Sequence, residues 1–338
     1  MASYRLSLQM LSAFGTPLAG DTLFGQVCWT LRDLYGENRL KALLDGYLEQ
    51  NPFLVISDAF PTGYVPLPTL PSAYWATTSL VERKALKKKQ WFPTAQLPVT
   101  LTYWQSLACS DAEILDLTLR PAGVIDRRCG AGSTNQVMSI NASQPHNTIN
   151  RMTGTTGKDG FAPYTVDQLW YHPDVRHDLY VVLDESRLSL EELSAALAYI
   201  GTTGYGRDAS IGLGKFRLAT SPIRINGAST AGDNAWLTLG AVAPQGQGFC
   251  SQNSFYQTMT RFGRHGSSAA LSGQPFKRPV LLARAGAVFS SLAPFDPAIA
   301  FIGQGIGGIS HVQADAVQQG YAPVMPICLP SNQQGQKL

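Results

Sequence analysis

Gly201 to Phe216, GTTGYGRDASIGLGKF, is the stretch on which the reading of this chain turns. Five glycines, Gly201, Gly204, Gly206, Gly212 and Gly214, surround Arg207, and Lys215 ends the run of loop residues. Just upstream, Ser189 to Ile200 has the pattern of a helix, opened by a capping box in which Ser189 and Glu192 each satisfy a free amide of the first turn. Leu190, Leu193, Ala196, Leu197 and Ile200 recur at helical spacing and give it one apolar face. Leu179 to Leu183 reads as a short buried strand, and Lys215 to Ala219 as an alternating one. The local plan is strand, helix, glycine loop, strand.

Clustered glycines let backbone N–H groups approach a ligand closely and permit the positive φ values that turn several of them toward one anion. A phosphate chain is the natural guest. The loop follows its helix, whereas the known nucleotide fingerprints lie between a strand and the next helix, so neither is matched. A glycine-rich connection that only turns the chain fits the same spacing.

The chain has 338 residues, which is room for two domains with a core in each. Its hydrophobic share of 44% is ordinary, while its charged share of 14% is low, as expected of a surface partly covered by partners. With 32 glycines and 21 prolines, long irregular loops are expected. A net charge of +3 excludes a uniformly basic coat but leaves room for local patches. From Ser221 onward, Arg224, Arg261, Arg264, Lys277, Arg278, Arg284 and Lys337 face only Asp233, Asp296 and Asp315, so that third can present a face to phosphates. Cys28, Cys109, Cys129, Cys250 and Cys328 are scattered, without CxxC or zinc spacing, which points to reduced thiols in the cytoplasm. No signal-peptide layout and no bilayer-length apolar run is present, so a membrane is not an expected partner.

In chain order, Tyr4 to Leu11 alternates as a strand, Ser12 to Gly20 is a loop, and Gly20 or Asp21 caps a helix over roughly Thr22 to Leu34. A second helix is expected over Arg39 to Glu49 and a short strand over Phe53 to Ile56. Joined to the strand, helix and strand around the glycine loop, this makes a βαββαβ, ferredoxin-like or RNA-recognition plan. The halves are separated by an insertion, Tyr64 to Arg176, too long for a mere loop. It holds a basic run, Arg83 to Lys89, closed by Trp91 and Phe92; then Arg127 and Arg128; then Arg151 and Met152 ahead of Lys158. Cations beside aromatics suit a strand whose phosphates pair while a base stacks, and a solvated helix face ending on a core Trp91 fits the lysines equally. Beyond Ala219, strands are expected at Trp236 to Val242, Val280 to Phe289 and Tyr321 to Cys328, and a helix at Ser254 to Phe262. A second glycine cluster, Gly303 to His311, precedes the last strand, so the two halves look like a degenerate duplication.

Five stretches together resemble the RAMP superfamily of CRISPR effector proteins, and within it the handle-capping subunits of type III-A (Csm-type) complexes. They are FGTPLAGDTLFGQVCW (Phe14 to Trp29), FLVISDAFP with VPLPTLP (Phe53 to Pro71), NTINRMTG (Asn147 to Gly154), GYGRDASIGLGKF (Gly204 to Phe216), and GQGIGGIS with QQGYAPVMPI (Gly303 to Ile327). The resemblance implies an α+β fold of two ferredoxin-like (RRM-like) domains. The first spans 1–220 with a thumb-like insertion at about 64–176, and the second, degenerate one spans 221–338. It also implies a subunit that holds the 5′ handle of CRISPR RNA, docks on the large polymerase-domain subunit, starts the filament of backbone RAMP subunits and meets target RNA only indirectly. By the same resemblance it does not cut RNA and needs no cofactor or metal.

The residues agree on that chemistry. A metal-independent ribonuclease needs a general base, usually histidine, near its early loops, and no histidine precedes His146. His146, His172, His177, His265 and His311 have no matching nucleophile or ligand spacing, and only His311 follows a glycine cluster closely enough to test. Asp21 reads as a helix cap and Asp58 as a turn former. The expected phosphate contacts are the amides of Gly204, Gly206 and Gly212 with the charges of Arg207 and Lys215. Gly15, Thr16 and the helix start at Thr22 add donors. Arg151 and Met152 are expected at a splayed nucleotide, Arg127, Arg128, Lys87, Lys88 and Lys89 along the strand, and Gly305, Gly307 and His311 at the second cluster. Three other readings compete: a CRISPR RNA-processing endoribonuclease of the same superfamily, a nucleotide-binding protein, and a filament cap whose glycine loops touch only protein.

Overall fold

Alternation in the opening segment builds the first core. Tyr4, Leu6, Leu8 and Met10 are buried on one face of β1 (Ala2–Met10), while Ser3, Arg5, Ser7 and Gln9 point the other way. A computed structural model of the chain describes residues 1–75, 84, 86–97, 99–119, 137–157, 160–227, 229–230, 232–266 and 273–330. After β1 come α1 (Gly20–Tyr35), α2 (Glu37–Leu44), β2 (Leu54–Ile56) and β3 (Phe60–Pro61). The next stretch holds β4 (Tyr64–Pro66), β5 (Lys89–Pro93), α3 (Trp104–Leu107), β6 (Cys109–Ser110) and α4 (Asp111–Leu119). A hairpin of β7 (Ser139–His146) and β8 (Tyr164–Tyr171) leads to β9 (Arg176–Leu183), α5 (Leu190–Thr203) and β10 (Phe216–Leu218).

The sheet formed by these strands runs β10-β1-β9-β2, antiparallel throughout, with β3 also paired to β9. That order is the one a βαββαβ chain adopts when both crossover helices cover one face. Register places Tyr4 opposite Val181 and Leu6 opposite Leu179. These side chains close a core with Leu23, Phe24, Val27 and Leu31 of α1 and Leu193, Leu197 and Ile200 of α5. Each such burial contributes about 1.5–3 kcal/mol. The capping box at Ser189 is present as expected: Glu192 N–H donates to Ser189 Oγ at 3.1 Å, and Ser189 N–H to Glu192 Oε2 at 2.9 Å. The second helix stops earlier than its apolar spacing predicts, because Gly46 takes a positive φ and turns the chain after Leu44.

The remainder is strand: β11 (Ile223–Ile225), β12 (Ala235–Thr238), β13 (Thr258–Arg261), β14 (Val280–Ala283), β15 (Val288–Phe289), β16 (Phe301–Ile306) and β17 (Gln318–Ile327). β11 lies past residue 220 yet pairs with β1, and β15-β12-β17-β16 form a second sheet. No helix occurs after Ile225 among the described residues. The helix expected over Ser254 to Phe262 is therefore corrected to strand β13. Phe255, Met259 and Phe262 mimic helical spacing, but the β-branched threonines 258 and 260 and the pairing with β14 decide the outcome. The strand expected over Val280 to Phe289 is broken at Gly286, whose φ is 84°, so that β14 pairs with β13 while β15 pairs with β12.

The halves are joined through buried polar contacts. Gln319 of β17 receives the Ile56 N–H at 2.9 Å and returns its amide to Ile56 O at 2.7 Å, extending the edge at β2. Tyr321 donates to Tyr47 O at 2.7 Å, and Arg261 of β13 reaches Asp21 of α1.

Candidate nucleic-acid interface

Three segments meet at the end of β1. The β1–α1 loop, Phe14 to Pro17, lies against the glycine loop: the Arg207 N–H donates to Thr16 Oγ1 at 3.1 Å, and a Cβ on Gly15 would lie 2.5 Å from Arg207 O. The β7–β8 hairpin joins them through a bridge between Phe14 and Leu169. Arg207 Nη2 donates to Asp167 O on that hairpin at 2.6 Å, while its Nε stands 3.3 Å from Asp208 Oδ2. Even so, half of the Arg207 side chain (51%) is exposed, and so is Lys215 at the end of the loop.

Most of the loop's amides are engaged inside the protein. Gly204 N–H donates to Ile200 O (2.7 Å), Gly206 N–H to Gln26 Oε1 (3.3 Å) and Gly212 N–H to Ala209 O (3.0 Å). Gly214 and Lys215 donate to Ala13 O and Ser12 Oγ. The expectation that the amides of Gly204, Gly206 and Gly212 stand free for phosphates is thus corrected, since a satisfied donor has no second hydrogen to offer. Their positive φ values fold the loop onto the β1–α1 loop, and the cations of Arg207 and Lys215 are what remain on the surface.

The helix start is likewise occupied. Ala19 N–H donates to the Tyr205 hydroxyl at 3.1 Å, Gly20 N–H to Asp58 Oδ1 at 2.8 Å, and Thr22 N–H to its neighbour Asp21 Oδ1 at 2.9 Å. Thr22 is therefore not an open donor, and two carboxylates serve the helix entrance, Asp21 at Thr22 and the distant Asp58 at Gly20. Burial pushes the Asp58 carboxyl up to about 7; Asp21 adds repulsion, against the lowering effects of the Gly20 N–H and Arg261. A carboxyl raised in the fold binds protons that the unfolded chain has released, so its contribution to stability falls as pH climbs from about 4 through 7. Asp58→Asn should therefore raise stability relative to the parent at pH 8, on the order of 1–4 kcal/mol, and leave it near the parent at pH 4. Denaturant midpoints at the two pH values check this, and a gain independent of pH would speak against it.

The hairpin is the projecting element. Its eight-residue strands reach roughly 25 Å, and its tip carries Asn150, Arg151 and Met152. Asn150 Oδ1 receives the Met152 N–H at 2.9 Å, which sets Met152 outward with 94% of its surface exposed. Arg151 is exposed beside it.

Among the described residues, the other expected positions make their contacts elsewhere. Lys87 and Lys88 are exposed in the turn before β5, and Lys89 opens that strand with its Nζ 3.6 Å from Glu113. Arg127 and Arg128 lie outside the described residues. A Cβ on Gly305 would lie 2.4 Å from Tyr47 O, and one on Gly307 2.9 Å from Leu48 Cδ1, so both glycines serve close packing of β16 and the segment after it on the turn following α2. His311 faces Arg278, with 3.4 Å between Nε2 and Nε. Among the described residues no group of three or more His, Cys, Asp or Glu could hold a metal ion, and no helix is long and apolar enough to cross a membrane. His177 is buried, which pulls it down to about 4, and His265 is hydrogen-bonded to Ser310.

One row escaped the sequence reading. On the polar face of the first sheet, Gln9 is paired with both Arg217 and Arg176 across adjacent strands, and Arg217 donates twice to Gln9 Oε1, at 3.1 and 2.7 Å. The signal was the alternation of β1, which puts Gln9 on the face away from the helices.

No family model and no curated protein matches the sequence. Solved structures match the fold along nearly its whole length. A chain of the Csm3–Csm4 subcomplex of the type III-A CRISPR-Cas interference complex superposes with a TM-score of 0.59 at 15% identity, covering 97% of this chain and 99% of its own. A chain of the Csm1–Csm4 cassette in complex with pppApA gives 0.53 at 12%, covering 97% and 98%. The cassette in complex with cA4 gives 0.52 at 12%, with the same coverage. Csm4 is the component common to these assemblies, and the present chain shares the fold of the matched chains over nearly its whole length.

Proposed function

We propose that this chain is a non-catalytic subunit of a type III CRISPR effector complex that holds the 5′ handle of CRISPR RNA and links the large polymerase-domain subunit to the backbone RAMP filament. The observation that carries the reading is the convergence of the β1–α1 loop, the glycine loop and the hairpin, with Arg207, Lys215 and Arg151 exposed on a Csm4-like scaffold. Arg207 and Lys215 supply charge-assisted contacts to phosphates, which position the strand, while the hairpin tip meets a nucleotide splayed from its neighbours. The solved neighbours are chains of Csm3–Csm4 and Csm1–Csm4 assemblies, which supports docking of this chain on subunits of the Csm1 and Csm3 kinds.

Arg207→Ala should weaken binding of a repeat-derived 5′-handle RNA by roughly 1–3 kcal/mol, read by fluorescence anisotropy at physiological salt. An unchanged affinity would remove Arg207 from the interface. Specific cleavage of repeat RNA by the purified chain in chelator would replace the binding role with that of a processing endoribonuclease.

A further inference from the structure

From Asn234 to Phe295 the chain contains no Asp or Glu, yet it carries Arg261, Arg264, Lys277, Arg278 and Arg284. These basic residues are gathered by the β13–β14 ribbon. The pairing continues past the strands, with Lys277 N–H donating to Gly263 O at 2.8 Å, His265 N–H to Pro275 O at 2.9 Å, and Arg264 bridged to Phe276. Strand alternation then divides the ribbon into two faces. Met259 and Leu282 point inward to a small core with Ala241, Ala243 and Ile306, and Arg261 points inward to Asp21.

On the outer side, Phe262 (72% exposed), Phe276 (64%) and Leu281 (56%) face solvent. Arg264 continues this face opposite Phe276, while Arg284 stands exposed just past β14 at the other end of the ribbon; neither side chain has a hydrogen-bond or ion-pair partner among the described residues. Arg278 is exposed as well, donating to Gly308 O at 3.3 Å beside His311. Two open aromatic rings beside the unpaired Arg264 and the exposed Arg278, on a stretch of chain without Asp or Glu, have the chemistry of a stacking platform for single-stranded nucleic acid. Continuity favours RNA over a protein occupant. The ribbon is anchored by Arg261 to Asp21, at the end of α1 that also receives Tyr205 from the glycine loop, and a Cβ on Gly266 would lie 2.8 Å from Trp29 of the same helix.

We propose that this ribbon is a second contact for single-stranded RNA, extending the strand held at the glycine loop: bases stack on Phe262 and Phe276, and phosphates pair with Arg264, Arg278 and Arg284. The inference rests on the RNA-binding reading above. It is tested with the full chain and two labelled RNAs, the handle alone and the handle extended by guide sequence, using F262A/F276A and R264A/R284A.

The aromatic pair is expected to weaken the extended RNA by roughly 5- to 150-fold per stacked base while leaving the handle alone almost unaffected. The arginine pair is expected to flatten the slope of log K against log salt for the extended RNA by about 1.4, or 0.7 for each phosphate that the variant no longer neutralises. Unchanged affinity and slope in both variants, with Arg207→Ala still weakening both RNAs, would overturn the ribbon and keep the handle site. Loss of a protein subunit from the reconstituted complex without change in RNA affinity would make the ribbon a protein-docking face instead. Failure of the parent chain to bind either RNA would overturn both readings.

Discussion

R261M is expected to lose about 3–5 kcal/mol of folding stability, the cost of removing one partner from a buried ion pair. Arg261 Nε stands 2.6 Å from Asp21 Oδ2, and the Asp21 side chain is almost wholly enclosed. Without the guanidinium, Asp21 keeps the Thr22 N–H and a long contact to Gln318 at 3.4 Å, which do not neutralise it. Asp58 shares this site; burial holds its carboxyl up to about 7, with Arg261 among the groups that lower it. Removing the cation raises it further, so the variant's deficit should widen as pH rises above 7, where the parent has an ionised Asp58 and the variant must ionise it unaided. Chemical denaturation at pH 5 and pH 8 reads the difference. The companion R261M/D21N should recover at least half of the loss, because it removes the stranded charge with its partner. A double variant no more stable than R261M would mean that the seam between the halves is held elsewhere.

Helices α1 and α5 were legible in the sequence because their apolar residues recur within a single element, and the sheet order followed from the two strand–helix–strand units. What the sequence concealed are pairings between distant residues. Asp58 caps a helix that starts 38 positions earlier, a contact no local pattern encodes. The glycines were read as openings toward a ligand, yet Gly206 clears space for Thr16 and Gly305 for Tyr47. Such close approaches depend on which loops the tertiary fold lays together. The helix misread at Ser254 to Phe262 has a similar cause, because three apolar residues at helical spacing were outweighed by a strand partner about twenty residues away. Of the candidate interface, the charged members Arg207, Lys215 and Arg151 were readable as exposed cations, whereas the row of Arg217, Gln9 and Arg176 exists only once three strands are in register.

Two glycines with one residue between them, Gly212 and Gly214, separate the structural task of the loop from its binding task. At Gly214, with φ at 74°, a Cβ would lie 2.1 Å from Tyr205 O and 2.6 Å from its N, both backbone atoms that have no rotamer by which to yield. The same residues share a hydrogen bond, Tyr205 N–H to Gly214 O at 2.9 Å, and Tyr205 is fully buried in the first core. G214A therefore combines left-handed strain of about 1–2 kcal/mol with displacement of a tyrosine whose burial is worth about 1.5–3 kcal/mol. The expected loss is about 3–5 kcal/mol, with RNA affinity falling because the loop no longer sits on Thr16. Gly212 has no neighbouring atom within 4 Å of where its Cβ would be, and its φ of 101° leaves only the strain, about 1–2 kcal/mol. If the RNA backbone passes close to the loop at this open position, G212A should weaken handle binding at a temperature where the variant is fully folded, because the added methyl group stands where the strand approaches. Unfolding midpoints paired with RNA affinities for the two variants decide the matter. Equal stability losses would show that Tyr205 does not anchor the loop, and a G212A variant that binds RNA as the parent does would move the strand's path away from the glycines and onto Arg207, Lys215 and the hairpin.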